Sequence, residues 1–164
     1  MTKLTKLMMA GLFTALICLT TAFIKIPAVQ GYIHPGDAFI LTGVSLLGPW
    51  GILCASIGSG LADLLAGYAI FVPGTVVVKG LMAFIFFLVI NKRETKLWRI
   101  LVGGILAELV MVAGYFAYES LIYDVKTAAA GIPFNLVQAA GGVLIALFLI
   151  PIANKALKTM KIGI

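Results

Sequence analysis

Charge is what this sequence has least of. Asp, Glu, Lys and Arg make up 11% of its 164 residues while 62% are hydrophobic; an ordinary globular domain is about a quarter charged. Too few charges remain to clothe a water-soluble surface, so a soluble fold is excluded first. Histidine is nearly absent as well. The lone His34 has no partners at zinc-ligand spacing, and no Ser, His and acid set appears, so catalysis has little support. The two cysteines, Cys18 and Cys54, both lie inside apolar runs and read as small buried hydrophobes, neither a disulfide nor a metal pair. A phosphate loop is missing too: Gly74-Thr75-Val76-Val77-Val78-Lys79-Gly80 lacks the second Gly before Lys and the Ser or Thr after it. The chain therefore does not power a pump alone, and no cofactor is expected.

What is present is apolar length. Mean hydropathy is +1.15, and about 20 apolar residues suffice to cross a bilayer. Apolar segments run over 7–26, 37–48, 51–66, 70–90, 97–122 and 132–153. The first could mimic a secretory signal, but no convincing cleavage site with a soluble domain follows, so it reads as a transmembrane helix. The second and third are short, with only Gly48-Pro49-Trp50-Gly51 between them, and merging them into one tilted helix is the competing count. Charge decides. Nine of the twelve cations fall before the first segment, in the 92–99 stretch that follows the fourth, or after the last. Six crossings put all nine on one side, whereas five divide them against the positive-inside rule. The expected fold is all-α, a single six-helix membrane domain with both termini cytoplasmic. The net charge of +6 belongs to these loops, so no nucleic-acid partner is expected.

The opposite rim is polar and aromatic, carrying Gln30, Tyr32, His34, Asp37, Asp63, Tyr68, Glu119, Asn135 and Gln138 at or near helix ends. That asymmetry favours an outward-facing ligand site. Polar groups within the membrane are expensive unless they face a cavity or a partner. Lys79, about nine residues or ~13 Å into the fourth segment, is too deep to escape to either interface. It reads either as half of a buried ion pair with Glu108 or Glu119, or as a cavity cation that binds an anionic or hydroxylated ligand. Tyr115 and Glu119, four apart, share a helix face. Pro133 suits a helix start, with Asn135 and Gln138 presenting amides three residues apart on one face. Asp63 suits bracing the loop after it better than touching a ligand. Gly58-Ser59-Gly60, Gly103-Gly104 and Gly141-Gly142 suit close helix packing. On the first helix Gly11 and Ala15, one turn apart, read also as a flat strip for a partner membrane subunit.

Several pieces in order resemble the substrate-binding S component of energy-coupling factor (ECF) vitamin transporters. They are Gly31-Tyr32-Ile33-His34-Pro35-Gly36-Asp37-Ala38, then Gly58 to Tyr68, Pro73 to Lys79-Gly80 with Thr75 inside it, Gly114-Tyr115-Phe116 with Glu119, and Ile132-Pro133-Phe134-Asn135 with Gln138. The closest branch looks like the riboflavin-related S components and those assigned to hydroxymethylpyrimidine or pyridoxine-type vitamins. The resemblance implies a prokaryotic plasma-membrane subunit that captures a vitamin from outside beneath its first external loop. It implies pairing with a membrane coupling subunit and two cytoplasmic ATP-binding-cassette ATPases. The family's Ala-x-x-x-Ala docking motif has its counterpart in Gly11-x-x-x-Ala15. Candidate ligand contacts are Gln30, Tyr32, His34, Tyr68, Thr75, Lys79, Tyr115, Glu119, Asn135 and Gln138. With Trp50 and Trp98 both at cytoplasmic helix ends, a pyridine or pyrimidine suits the site better than a large flavin. The competing functional classes are a stand-alone secondary carrier or channel, which the missing inverted repeat counts against, and a ligand-free membrane scaffold.

Overall fold

The protein is represented by a computed structural model, which describes residues 2–28, 31–90 and 96–159. Helix α1 (Lys3–Phe23) opens on Thr2, whose hydroxyl accepts from the Thr5 amide at 3.1 Å and so satisfies one orphan N–H of the first turn. A two-residue antiparallel pair, β1 (Ile26–Pro27) with β2 (Tyr32–Ile33), folds the following loop back on itself. Then come α2 (Gly36–Leu47), α3 (Pro49–Ala66), a 3-10 turn (Ala69–Phe71), α4 (Val72–Val89), α5 (Leu97–Ile122) and α6 (Val125–Thr159).

Five of these helices are long and apolar enough to cross a membrane; α2, at 12 residues, is not one of them. Its length is about 18 Å. The reason it can be short lies in its surroundings: ten of its residues are buried, and it packs against α1, α3, α4 and α6. A helix walled in by other helices does not have to match the hydrocarbon thickness. Around it the outer helices turn Leu12, Leu53, Leu88, Leu109 and Phe148 outward, an apolar exterior suited to lipid.

Helices α2 and α3 do not merge. Gly48 takes φ +61°, its N–H closing on the Val44 carbonyl at 2.8 Å, and Pro49 starts the next helix where a missing N–H costs nothing. The turn folds α3 against α2 so closely that a Cβ on Gly51 would lie 2.5 Å from the Val44 Cα. Backbone cannot yield as a side-chain tip can. Gly51→Ala is expected to destabilise the protein by about 1–3 kcal/mol, the usual cost of overpacking, read as a lowered melting temperature in detergent; an unchanged value would show that the corner has slack.

Two expected boundaries move. The segment expected over 132–153 is part of a helix that already begins at Val125 and reaches Thr159, so Pro133 lies inside α6 and does not start it. The start is made by Asp124, whose Oδ1 accepts from the Lys126 and Thr127 amides at 2.9 and 3.0 Å. The Thr127 hydroxyl and amide hold this carboxyl below its ordinary range. After that cap, Ala128-Ala129-Ala130 has the strongest helix propensity available and carries the helix through to the proline. The first segment, expected over 7–26, is likewise shifted to Lys3–Phe23. The other expected segments match within a few residues, and 97–122 coincides with α5.

Glycines in the bundle mark close crossings. A Cβ on Gly58 would lie 2.8 Å from the Thr14 carbonyl, on Gly114 2.8 Å from Val78, and on Gly74 2.5 Å from the Tyr118 ring. Where apolar surface gains nothing by leaving lipid, such approach lets van der Waals contact hold helices together. Gly11 differs: nothing among the described residues lies within 4 Å of its Cβ position, and Ala15 on the same face is exposed.

Candidate functional site

One end of the bundle gathers the polar side chains. The hairpin brings Tyr32 and His34, the end of α3 brings Asp63 and the loop after it Tyr68. The start of α4 adds Thr75, the last turns of α5 add Tyr115 and Glu119, and α6 adds Asn135 and Gln138. These line a cleft of about 390 Å³, open mouth included, with Gly31 and Phe71 completing it. Eight of the ten candidate contacts thus converge. Of the other two, Gln30 lies outside the described residues, and Lys79 sits beneath the cleft and does not line it.

Lys79 is half of a buried ion pair, as one reading of its depth had it, but with a different partner. Its ammonium pairs with Asp37 at 2.5 Å, both side chains wholly buried. The expectation of Glu108 or Glu119 as its partner is therefore corrected. Sequence position made Asp37 look like a rim residue, since it stands in the first turn of a helix; only the burial of α2 among four other helices takes it out of solvent. The second oxygen of Asp37 accepts from Gln138 Nε2 at 2.6 Å, and Gln138 Oε1 in turn accepts from the His34 amide at 3.2 Å. A chain of polar contacts thus runs from α4 through α2 and α6 to the loop that follows the hairpin. Lys79 Nζ also lies 5.4 Å from the centre of the Tyr115 ring, whose hydroxyl pairs with Thr75 Oγ1 at 3.1 Å. In this way the buried pair holds up the floor of the cleft.

His34 is a neutral part of the scaffold. Its Nδ1 accepts from the Gly36 amide at 3.2 Å, with the Thr21 hydroxyl at 3.4 Å, which assigns the ring proton to Nε2. Burial pushes its pKa down to about 4, partly opposed by the charge of Asp37. No side chain would fit at Gly36: a Cβ there would collide with Thr21 Oγ1 and lie 2.9 Å from His34 Nδ1.

The aromatic side of the cleft is a run of tilted rings. Tyr32 and Tyr68 have centroids 5.1 Å apart, Tyr68 and Phe71 6.1 Å, and Tyr32 and His34 5.5 Å. Burial and the nearby Asp63 raise the pKa of the Tyr32 phenol, so it stays protonated and donates to Asp63 Oδ1 at 2.9 Å. Asp63 is the liner that sequence reasoning placed elsewhere. It braces the hairpin before it through Tyr32 as well as the turn after it, where its carbonyl accepts from the Tyr68 amide at 2.8 Å. Its position four residues before the helix-ending Gly67 was a local signal for capping; its view of the cleft depends on a loop 31 residues away. Glu119, for which a solvated helix end was one reading, is 3% exposed.

Glu108 stands apart. It lies midway along α5 on an apolar groove between α5 and α6, its Oε1 2.6 Å from where a Cβ on Gly142 would sit.

Comparison with known proteins fits this arrangement. An uncharacterized protein in the gap 3′ region of Pyrococcus woesei is 36% identical over 134 residues, covering 79% of this chain and 88% of that relative. The family model described as the S component of an ECF-type riboflavin transporter matches residues 1–158. An all-helical bundle with several spans and a polar cleft at one end is what a substrate-binding membrane subunit requires. Matched along almost its full length, the chain belongs to the ECF-type riboflavin transporter S-component family, the substrate-binding subunits of vitamin transporters.

Proposed function

We propose that the protein captures a small water-soluble vitamin or vitamin precursor at the outer face of a prokaryotic plasma membrane, and that hydroxymethylpyrimidine or a pyridoxine-type vitamin is its substrate. The observation that carries this reading is the cleft itself: side chains from the hairpin, α3, α4, α5 and α6 meet there, combining aromatic faces with carboxyl, hydroxyl and amide groups. Pockets for small molecules are built in this way, a largely preformed concavity with a few polar groups that fix orientation. With no Trp among the lining residues, the cleft suits a single ring better than the three fused rings of a flavin, although riboflavin is the vitamin in the family's name.

Six crossings with both termini cytoplasmic put the cleft outside and the basic loops inside, in keeping with the positive-inside rule. Transport is driven by ATP hydrolysis on partner subunits, two cytoplasmic ATPases joined through a membrane coupling subunit. The exposed Gly11 and Ala15 on α1 are the surface for that coupling subunit. Gln30, in the same loop as Tyr32 and His34, belongs with the ligand contacts, as do Tyr68, Thr75, Tyr115, Glu119, Asn135 and Gln138.

The test is to purify the chain alone and titrate it with hydroxymethylpyrimidine, pyridoxine and riboflavin, following tyrosine fluorescence, with mass spectrometry of any co-purified small molecule. Saturable binding of one of the single-ring compounds is expected. Asn135→Ala should weaken it about tenfold, the loss of one well-placed hydrogen bond, and unchanged affinity would remove Asn135 from the site. Vesicle uptake that persists without the ATPases would instead make the chain a secondary carrier.

A further inference from the structure

The cleft is charged on one side only. Asp63, from the end of α3, and Glu119, from the last turn of α5, both line it, and no Lys or Arg does so among the described residues. Both carboxyls are more than nine-tenths buried, at 6% and 3% exposed. Tyr32 takes one oxygen of Asp63. Asp63 Oδ2 and Glu119 Oε2 have no hydrogen-bond partner among the described residues.

Neighbouring cations do not answer them. Lys79 is engaged by Asp37, so that pair adds no net charge beneath the cleft. Lys25 lies over the Tyr32 ring, 5.3 Å from its centroid, and is not a lining residue. His34 offers only a neutral ring, its Nδ1 already accepting from Gly36. What remains is a pair of carboxyls with no cation to answer them, beside the rings of Tyr32, Tyr68 and Phe71, whose π faces also attract positive charge.

A buried polar atom left unpaired is costly, and a buried carboxylate more so. A ligand that brings N–H donors, and above all a positive charge, relieves both carboxyls at once through charge-assisted hydrogen bonds. A ligand with its own carboxylate brings more acceptors, and a negative charge, to a partly dry site whose two carboxyls already have unpartnered oxygens. We propose that the cleft selects for an amine: a small heteroaromatic ring bearing an amino or aminomethyl group, recognised by Asp63 and Glu119, in preference to its alcohol and against its carboxylate. This rests on the reading of the cleft as the capture site. It also replaces the view of Lys79 as a ligand-binding cation, since that charge is already neutralised.

Three pyridines with one ring and different substituents separate the possibilities: pyridoxamine, pyridoxine and 4-pyridoxic acid, titrated against the purified full chain, with riboflavin alongside. Pyridoxamine is expected to bind about tenfold more tightly than pyridoxine, the worth of one charge-assisted contact, and 4-pyridoxic acid more weakly than either. Glu119→Gln and Asp63→Asn keep the shape and remove the charge, and each should narrow the ratio of pyridoxamine to pyridoxine affinity. Equal affinities for amine and alcohol in the unsubstituted chain overturn the inference without recourse to any variant, as does tighter binding of the acid. Variants that bind and keep the full ratio overturn the role of the two carboxyls. Binding of riboflavin and none of the pyridines overturns amine selection while leaving the capture subunit standing; binding of none of the four, nor of hydroxymethylpyrimidine, by folded protein overturns both.

Discussion

Lys79→Met should cost the protein about 3–5 kcal/mol, the penalty for leaving a buried carboxylate without its counter-charge. Asp37 is wholly buried, and its remaining partner would be the amide of Gln138, which donates a hydrogen bond but supplies no charge. Methionine has nearly the reach of lysine, so the loss is electrostatic and leaves little cavity. The double variant Asp37→Asn with Lys79→Met should recover most of the stability, because an amide can still meet Gln138 and no ion is stranded. Thermal unfolding in detergent, followed by size exclusion or by Trp50 and Trp98 fluorescence, reads both results. A Lys79→Met protein as stable as the parent would mean that the pair is dispensable, and a double variant no better than the single one would mean that the lysine acts by packing. Ligand affinity should fall in the single variant as well, since Tyr115 and the Gln138 link to His34 rest on the pair.

Gly11→Phe, alone or with Ala15→Leu, should abolish vitamin uptake in cells that carry the whole transporter while leaving ligand binding by the isolated chain unchanged. The physical basis is the open space at this face: a Cβ at Gly11 would meet nothing within 4 Å among the described residues, and Ala15 is exposed one turn on. Bulk there cannot disturb the bundle, but it prevents close approach by another helix, which in lipid supplies much of the association energy. Loss of transport by more than about tenfold with intact binding supports docking at this strip. Loss of both would mean that the face packs against the protein's own helices, and loss of neither would move the docking surface elsewhere.

Much of the cleft was legible in the residue string because its parts sit in short motifs at helix ends: Tyr32 and His34 in one loop, Tyr115 and Glu119 one turn apart, Asn135 and Gln138 on one face. Each is a local pattern. Asp63 escaped because its capping role is also local and explains the residue well enough, while its bond to Tyr32 joins two segments that composition does not connect. The partner of Lys79 escaped for a related reason. Depth along a helix is readable from hydropathy, but which of six acids meets the ammonium depends on how α2 and α4 are placed, across 42 residues of chain.

The residue string alone therefore determined that the chain is a multi-pass membrane protein, that it is helical, and that its polar and aromatic residues gather near helix ends. All follow from hydropathy and charge summed over neighbouring residues, against a bilayer of known thickness. Tertiary structure alone decided that the shortest helix is the most enclosed, that Asp37 is the counter-ion, and that two carboxyls face the cleft with oxygens to spare. Those outcomes depend on burial and pairing between distant segments, and in a chain so poor in charge the environment of each remaining ion is set by the helices packed around it.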